Sequence, residues 1–221
     1  MASDSQIAKL LAQPASFTPN FTVEHSVVLA HSLETVFDKL GSGETLEESV
    51  RLSDLCSTFH LTKLDHIVLS KDQSLAKERC RGLPPTPSTS DFKPSSNDGQ
   101  RTLPRQFFVL QEVVPLLCGL YQHTVTIAGC LTSDREGKAA LYETSAAGGI
   151  LVRKFRTFEE LAPSEGGQAR TKVHERIEGR APMLLRSTVE KETREGSYFS
   201  YGAVPYAFHL IRLVPEHLKE G

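Results

Sequence analysis

The sequence has no tryptophan, and only two methionines and four cysteines among 221 residues. Cys56, Cys80, Cys118 and Cys130 form no CxxC pair, and no two of the eight histidines stand four apart, so neither common pattern of a metal site is present. Charge of one sign is also missing. The 25 Lys and Arg residues against 27 Asp and Glu leave a net charge of −2, which gives no support to a basic surface for nucleic acid. No apolar run approaches the roughly 18 residues that a membrane-spanning helix needs, so stable membrane insertion is not expected. The opening stretch, MASDSQIAKLLAQPASF, has no basic segment followed by a long apolar one. A chain without an export signal and with scattered cysteines is expected in a reducing, cytoplasmic setting, where the Asn20-Phe21-Thr22 sequon stays unmodified. No cofactor fingerprint stands out, and none is expected.

What is present is enough apolar matter for a core. Hydrophobic residues make up 39% of the chain, with 15 glycines besides, a composition that excludes disorder of the whole chain. Residues 1–20 carry one small apolar cluster, Ile7, Leu10 and Leu11, and read as an arm with a helical turn or two. From Phe21 the pattern alternates, with Phe21, Val23, His25, Val27 and Leu29 on one face of a strand. Ser32 is placed to cap a helix over Leu33–Leu40, and Thr45-Leu46-Glu47-Glu48 has the form of a capping box opening a second short helix. Strands follow at Thr58–Ser70, Arg105–Val114, Tyr121–Thr132, Ala139–Thr144, Gly149–Glu160 and Ala169–Glu178. Ala181-Pro182 then opens a helix with proline in the first turn.

Residues 81–104 interrupt this order. Five prolines, four serines and only three large apolar residues predict a flexible loop inside one domain. Its Pro84-Pro85-Thr86-Pro87 matches PxxP, a pattern that arises readily in such composition. The expected organisation is an arm at 1–20, a domain at 21–196 containing the 81–104 loop, and an apolar tail at 197–221.

Strand, two helices, six strands and a helix is the helix-grip order. On Ser32-Leu33-Glu34-Thr35-Val36-Phe37, on Phe107 to Gly119 (FFVLQEVVPLLCG), on Thr171 to Gly179 (TKVHERIEG) and on the proline-initiated helix with Glu190, Glu192 and Arg194, the chain resembles the START-like superfamily. That group, also called Bet v 1-like or SRPBCC, includes polyketide cyclases and lipid-transfer proteins, and the likeness is greatest to a fungal subgroup of it. The resemblance implies an α+β helix-grip fold: a curved seven-stranded antiparallel sheet around a C-terminal helix, with two short helices after the first strand. It also implies a hydrophobic cavity between sheet and helix. Gly196 and the run after it depart from the family, whose last helix usually continues. The aromatic tail, including Tyr198, Phe199, Tyr201, Tyr206 and Phe208, is then expected either to fold back over the cavity or to stay exposed.

Alternation nominates the cavity lining: Val23, His25, Val27, Tyr121, His123, Val125, Ile127, Val173, Glu175, Ile177 and Leu184. Glu175 and His123 are the catalytic candidates. A carboxyl in apolar surroundings has its pKa raised and suits acid–base work, whereas an Arg or Lys across the sheet would instead make Glu175 half of an ion pair. Lys154 and Arg156 share a face with Val152 and Phe158. They are read either as holding an anionic headgroup or, as charged strand residues usually do, as facing water. Three functions remain open: carriage of a hydrophobic small molecule or lipid, a cyclase or dehydratase using acid–base groups in the cavity, and an interaction module with a collapsed cavity.

Overall fold

The computed structural model describes residues 4–12, 16–51, 56–86, 99–116, 121–164 and 166–195. Seven strands form one antiparallel sheet: β1 (Phe21–Leu29), β2 (Cys56–Ser70), β3 (Gln100–Leu116), β4 (Tyr121–Asp134), β5 (Ala139–Ala146), β6 (Ile150–Leu161) and β7 (Arg170–Arg180). Their order is β1-β7-β6-β5-β4-β3-β2, so β2 to β7 run as a meander and β1 closes on the free edge of β7. Among the described residues four α-helices accompany it: α1 (Asp4–Leu11), α2 (Leu33–Leu40), α3 (Leu46–Arg51) and α4 (Met183–Glu195). The architecture is α+β.

Local chemistry accounts for the elements. The Ser32 hydroxyl accepts from the Thr35 N–H at the start of α2, Glu34 sits in its first turn and Lys39 in its last. Both charges oppose the helix dipole favourably. Leu33, Val36, Phe37 and Leu40 make one apolar stripe, all buried against the sheet. Between β5 and β6, Gly148 and Gly149 both take left-handed φ angles, 88° and 81°, which side chains adopt at a cost. A Cβ at Gly179 would overlap the Phe21 ring, so the pairing of β1 with β7 requires glycine there.

The sheet has two covered faces. On the inner one, α2, α3 and Val189 of α4 join Val23, Phe59, Phe108, Leu110, Ile127 and Val173 in the main core. The outer one carries α1, whose Leu10 packs on Val109 and Ala128, and a strap at 71–86 with short 3-10 turns at Leu75–Lys77 and Cys80–Gly82. Leu75, Cys80 and Leu83 of the strap cover Ile67, Leu69, Leu103 and Leu141.

This strap corrects the expectation of a flexible loop from 81 to 104. Arg81 is buried, the Thr86 N–H donates to the His66 carbonyl at 2.8 Å, and β3 already begins at Gln100. The reason is polar as much as apolar. Arg105 makes a two-point pair with Asp65 at 2.7 and 2.9 Å, and also donates to the carbonyls of Cys80 and Leu83. Arg153 donates to the carbonyls of Leu75, Ala76 and Glu78. Buried guanidinium groups thereby satisfy strap carbonyls that no ladder reaches. Only 87–98 of the expected loop, with the tail at 197–221, lies outside the described residues.

Candidate functional site

Strand register draws a row of polar side chains across the inner face. His25 on β1 stands opposite Glu175 on β7, and Glu175 opposite Arg156 on β6. Lys154, two residues before Arg156 and so on the same face, stands opposite Tyr142 on β5. Lys154, Arg156 and Glu175 are only 3%, 2% and 1% exposed.

The expectation that Lys154 and Arg156 face water is overturned. Their strand alternates Val152, Lys154, Arg156 and Phe158 inward, and Val152 and Phe158 belong to the main core, so the charges go in with them. Arg156 has a structural reason to be there. Its Nε donates to Glu175 Oε1 at 2.5 Å, its Nη2 contacts the same oxygen, and its Nη1 donates to the Leu40 carbonyl. The Tyr142 hydroxyl donates to that carbonyl too, at 3.0 Å. Leu40 is the last residue of α2, where helix carbonyls lack partners within the helix and the dipole end is negative. Arg156 therefore ties β6, β7 and α2 together.

Glu175 is also corrected. Burial pushes its carboxyl upward, but Arg156 and Lys154 outweigh burial and hold it below the ordinary carboxylate range. It is an ionised partner, not a proton donor near neutral pH, so the ion-pair alternative is the one that the geometry has. Arg156 in turn is held above its usual value: burial opposes its charge, and Glu175 more than restores it.

Lys154 has no comparable partner. Its Nζ lies 4.4 Å from the centroid of the Tyr142 ring, and no carboxylate oxygen among the described residues is within ion-pair distance. Burial, with Arg156 adding to it, outweighs attraction by Glu175 and lowers its pKa to about 7. Tyr142 itself is only half-buried although it stands in the central strand of the sheet, and the Arg156 guanidinium lies 5.4 Å from its ring centroid. The sequence reading did not nominate Tyr142; its place in the alternation with Ala140 and Ala146, both in the main core, was the available signal.

The other nominated residues divide. Val23, Val125, Ile127, Val173 and Ile177 are on the inner face as expected, but each is at most 3% exposed and packed in the main core. Val27 and His25 are half-buried, and Leu185 of α4 is partly buried against the same core. The inner side is thus incompletely covered at His25, Val27 and Tyr142 of the sheet and at Leu185 of α4. Tyr121 and His123 fall on β4 and Leu184 on α4, but their side chains lie outside the described residues.

A cleft of about 840 Å³ opens elsewhere, between the α2–α3 junction and strands β2 to β4. Leu61 and Leu64 border it, and charges of both signs line it, among them Lys71, Arg101, Asp134 and Glu136. Cys56, Cys80 and Cys130 are free thiols, with burial pushing the Cys80 thiol up to about 12; Cys118 is outside the described residues. Among the described residues no group of three His, Cys, Asp or Glu side chains is placed to hold a metal ion, and no helix is long and apolar enough to cross a membrane.

No protein-family model and no curated protein matches the chain. Among solved structures it is similar to DR_A0006 from Deinococcus radiodurans, a structural genomics target, with 17% identity, covering 80% of this chain and 100% of that one. The TM-score is 0.33, a likeness that supports no conclusion about fold or function.

Proposed function

We propose that the chain is a START-like, helix-grip protein that carries a hydrophobic small molecule or lipid between the inner face of its sheet and α4. The observation that carries this reading is the incompletely covered Tyr142 in the middle of a largely buried inner face, with Lys154 beside it. A central-strand aromatic that stays partly exposed, among apolar walls and a few polar groups, is what the lining of a small-molecule pocket would present. The order of elements, with β1 followed by two helices, six strands and a helix, supports the helix-grip reading. The alternative, a cyclase or dehydratase with Glu175 and His123 as its acid–base candidates, loses Glu175 as a proton donor to the pairing with Arg156. Native mass spectrometry with organic extraction of the purified protein tests the proposal. A co-purifying apolar molecule, released on unfolding, is expected. Protein that carries nothing and fails to bind a hydrophobic fluorescent dye would overturn it.

A further inference from the structure

Three cationic or potentially cationic groups, His25, Lys154 and Arg156, share the inner row with one carboxylate, Glu175. Glu175 Oε1 is taken by Arg156 through two nitrogens, and the third guanidinium nitrogen is taken by the Leu40 carbonyl. This arrangement engages all three Arg156 nitrogens and leaves Lys154 with no carboxylate oxygen in contact among the described residues. A lysine 3% exposed, among Val152, Ile177 and the Tyr142 ring, costs stability unless something compensates its charge. Folding alone gives no reason for it, since a methionine there would fill the same volume.

Resting on the reading of this face as a ligand pocket, we propose that the ligand is a hydrophobic carboxylic acid whose carboxylate pairs with Lys154 beside Tyr142. The apolar walls then take the body of the ligand, and Lys154 supplies the missing half of a buried ion pair. Arg156 already carries Glu175 and the Leu40 carbonyl, so its charge is met within the fold. Two carboxylates sharing Arg156 would also repel each other, which favours Lys154 as the point of attachment. Around the ammonium stand Tyr142 from β5, Arg156 from its own strand, Glu175 from β7 and, beyond it, His25 from β1, and burial, Glu175 and Arg156 set its charge. With its pKa lowered to about 7, the free amine is half-charged near neutrality, and an incoming anion restores its proton.

The test displaces a neutral dye, N-phenyl-1-naphthylamine, from the full chain at pH 7.5 with decanoate and with decanol. A charge-assisted pair of this kind is worth roughly a tenfold to hundredfold preference for the acid over the alcohol. Lys154→Met is expected to bring that preference below about threefold, and Lys154→Arg to keep most of it; cooperative urea unfolding of both variants checks that they are folded. 2-Naphthoate against 2-naphthol, run in parallel, separates an aliphatic acid from an aromatic one as the source of the carboxylate. Dye binding with no preference for either acid in the wild type overturns the inference alone. A preference that survives in folded Lys154→Met also overturns it. Absence of dye, acid and alcohol binding overturns the pocket reading and this inference with it.

Discussion

Replacing Lys154 by methionine should stabilise the protein near neutral pH, and the gain should shrink as pH rises. Burial holds the Lys154 ammonium at about 7 against an ordinary value of 10.5. A lysine whose pKa is lower folded than unfolded makes the unfolded chain the tighter proton binder, so stability rises with pH from about 7 towards 10.5 and is lowest below that window. At 1.36 kcal/mol per unit, the full penalty at acidic pH is on the order of 5 kcal/mol. Between pH 9 and pH 7 the unfolded amine stays charged while the folded one goes from neutral to half-charged, which is about 2 kcal/mol of that total. Methionine does not titrate, and the other ionisable groups are common to both chains. Urea unfolding of wild type and Lys154→Met, under reducing conditions at pH 7 and pH 9, should therefore show the variant's advantage falling by about 2 kcal/mol over the interval. An advantage that stays constant within about 0.5 kcal/mol would mean that the amine is solvated or paired, and the reasoning about the row would fail with it.

Two further outcomes follow from the same contacts. Glu175→Gln leaves Arg156 buried beside a neutral group and should cost about 3–5 kcal/mol at pH 7, while Arg156→Met combined with Glu175→Leu should recover most of that; a single-variant loss under about 1 kcal/mol in urea unfolding would refute the tie between β6, β7 and α2. Exchanging residues 87–98 for a Gly-Ser stretch of equal length should change stability by less than about 1 kcal/mol, because Phe92 is the one large apolar residue there. Arg105→Met, which leaves Asp65 to Lys63 alone and strands the strap carbonyls, should cost several times as much, and a reversal of that ranking in thermal unfolding would show that the strap has been misjudged.

Much of the sheet was legible because its faces differ. Along β1 and β7 the inward residues Val23, Val27, Val173 and Ile177 alternate with outward Glu24, Lys172, His174 and Arg176, and a period of two survives the charged residues between. The α2 helix was legible to the residue, since cap, stripe and Gly41 agree. The strap was not. Residues 71–86 have no period, and what holds them is Arg105 and Arg153 reaching carbonyls from strands far along the sequence. Long-range side chain to backbone bonds leave no local pattern. Leu75, Cys80 and Leu83 were visible as apolar residues, but not as three contacts with one surface.

The misplacement of Lys154 and Arg156 has a different cause, and it bears on function. Two rules conflicted on β6: charge argues for water, and phase with Val152 and Phe158 argues for the core. Phase decides, because a strand cannot turn two residues out while keeping their neighbours two positions away turned in. Charge then becomes a cost that the fold must meet. It does so for Arg156 with Glu175 and the end of α2, contacts that a core could have replaced by apolar packing with little loss of stability. For Lys154 the described residues supply a ring face and no carboxylate within ion-pair distance. A conflict between local rules that the structure resolves with a partner reads as architecture. One that it meets only with a ring face and the attraction of Glu175 at a distance, beside incompletely covered Tyr142, is the reason the proposed carboxylate is assigned to Lys154.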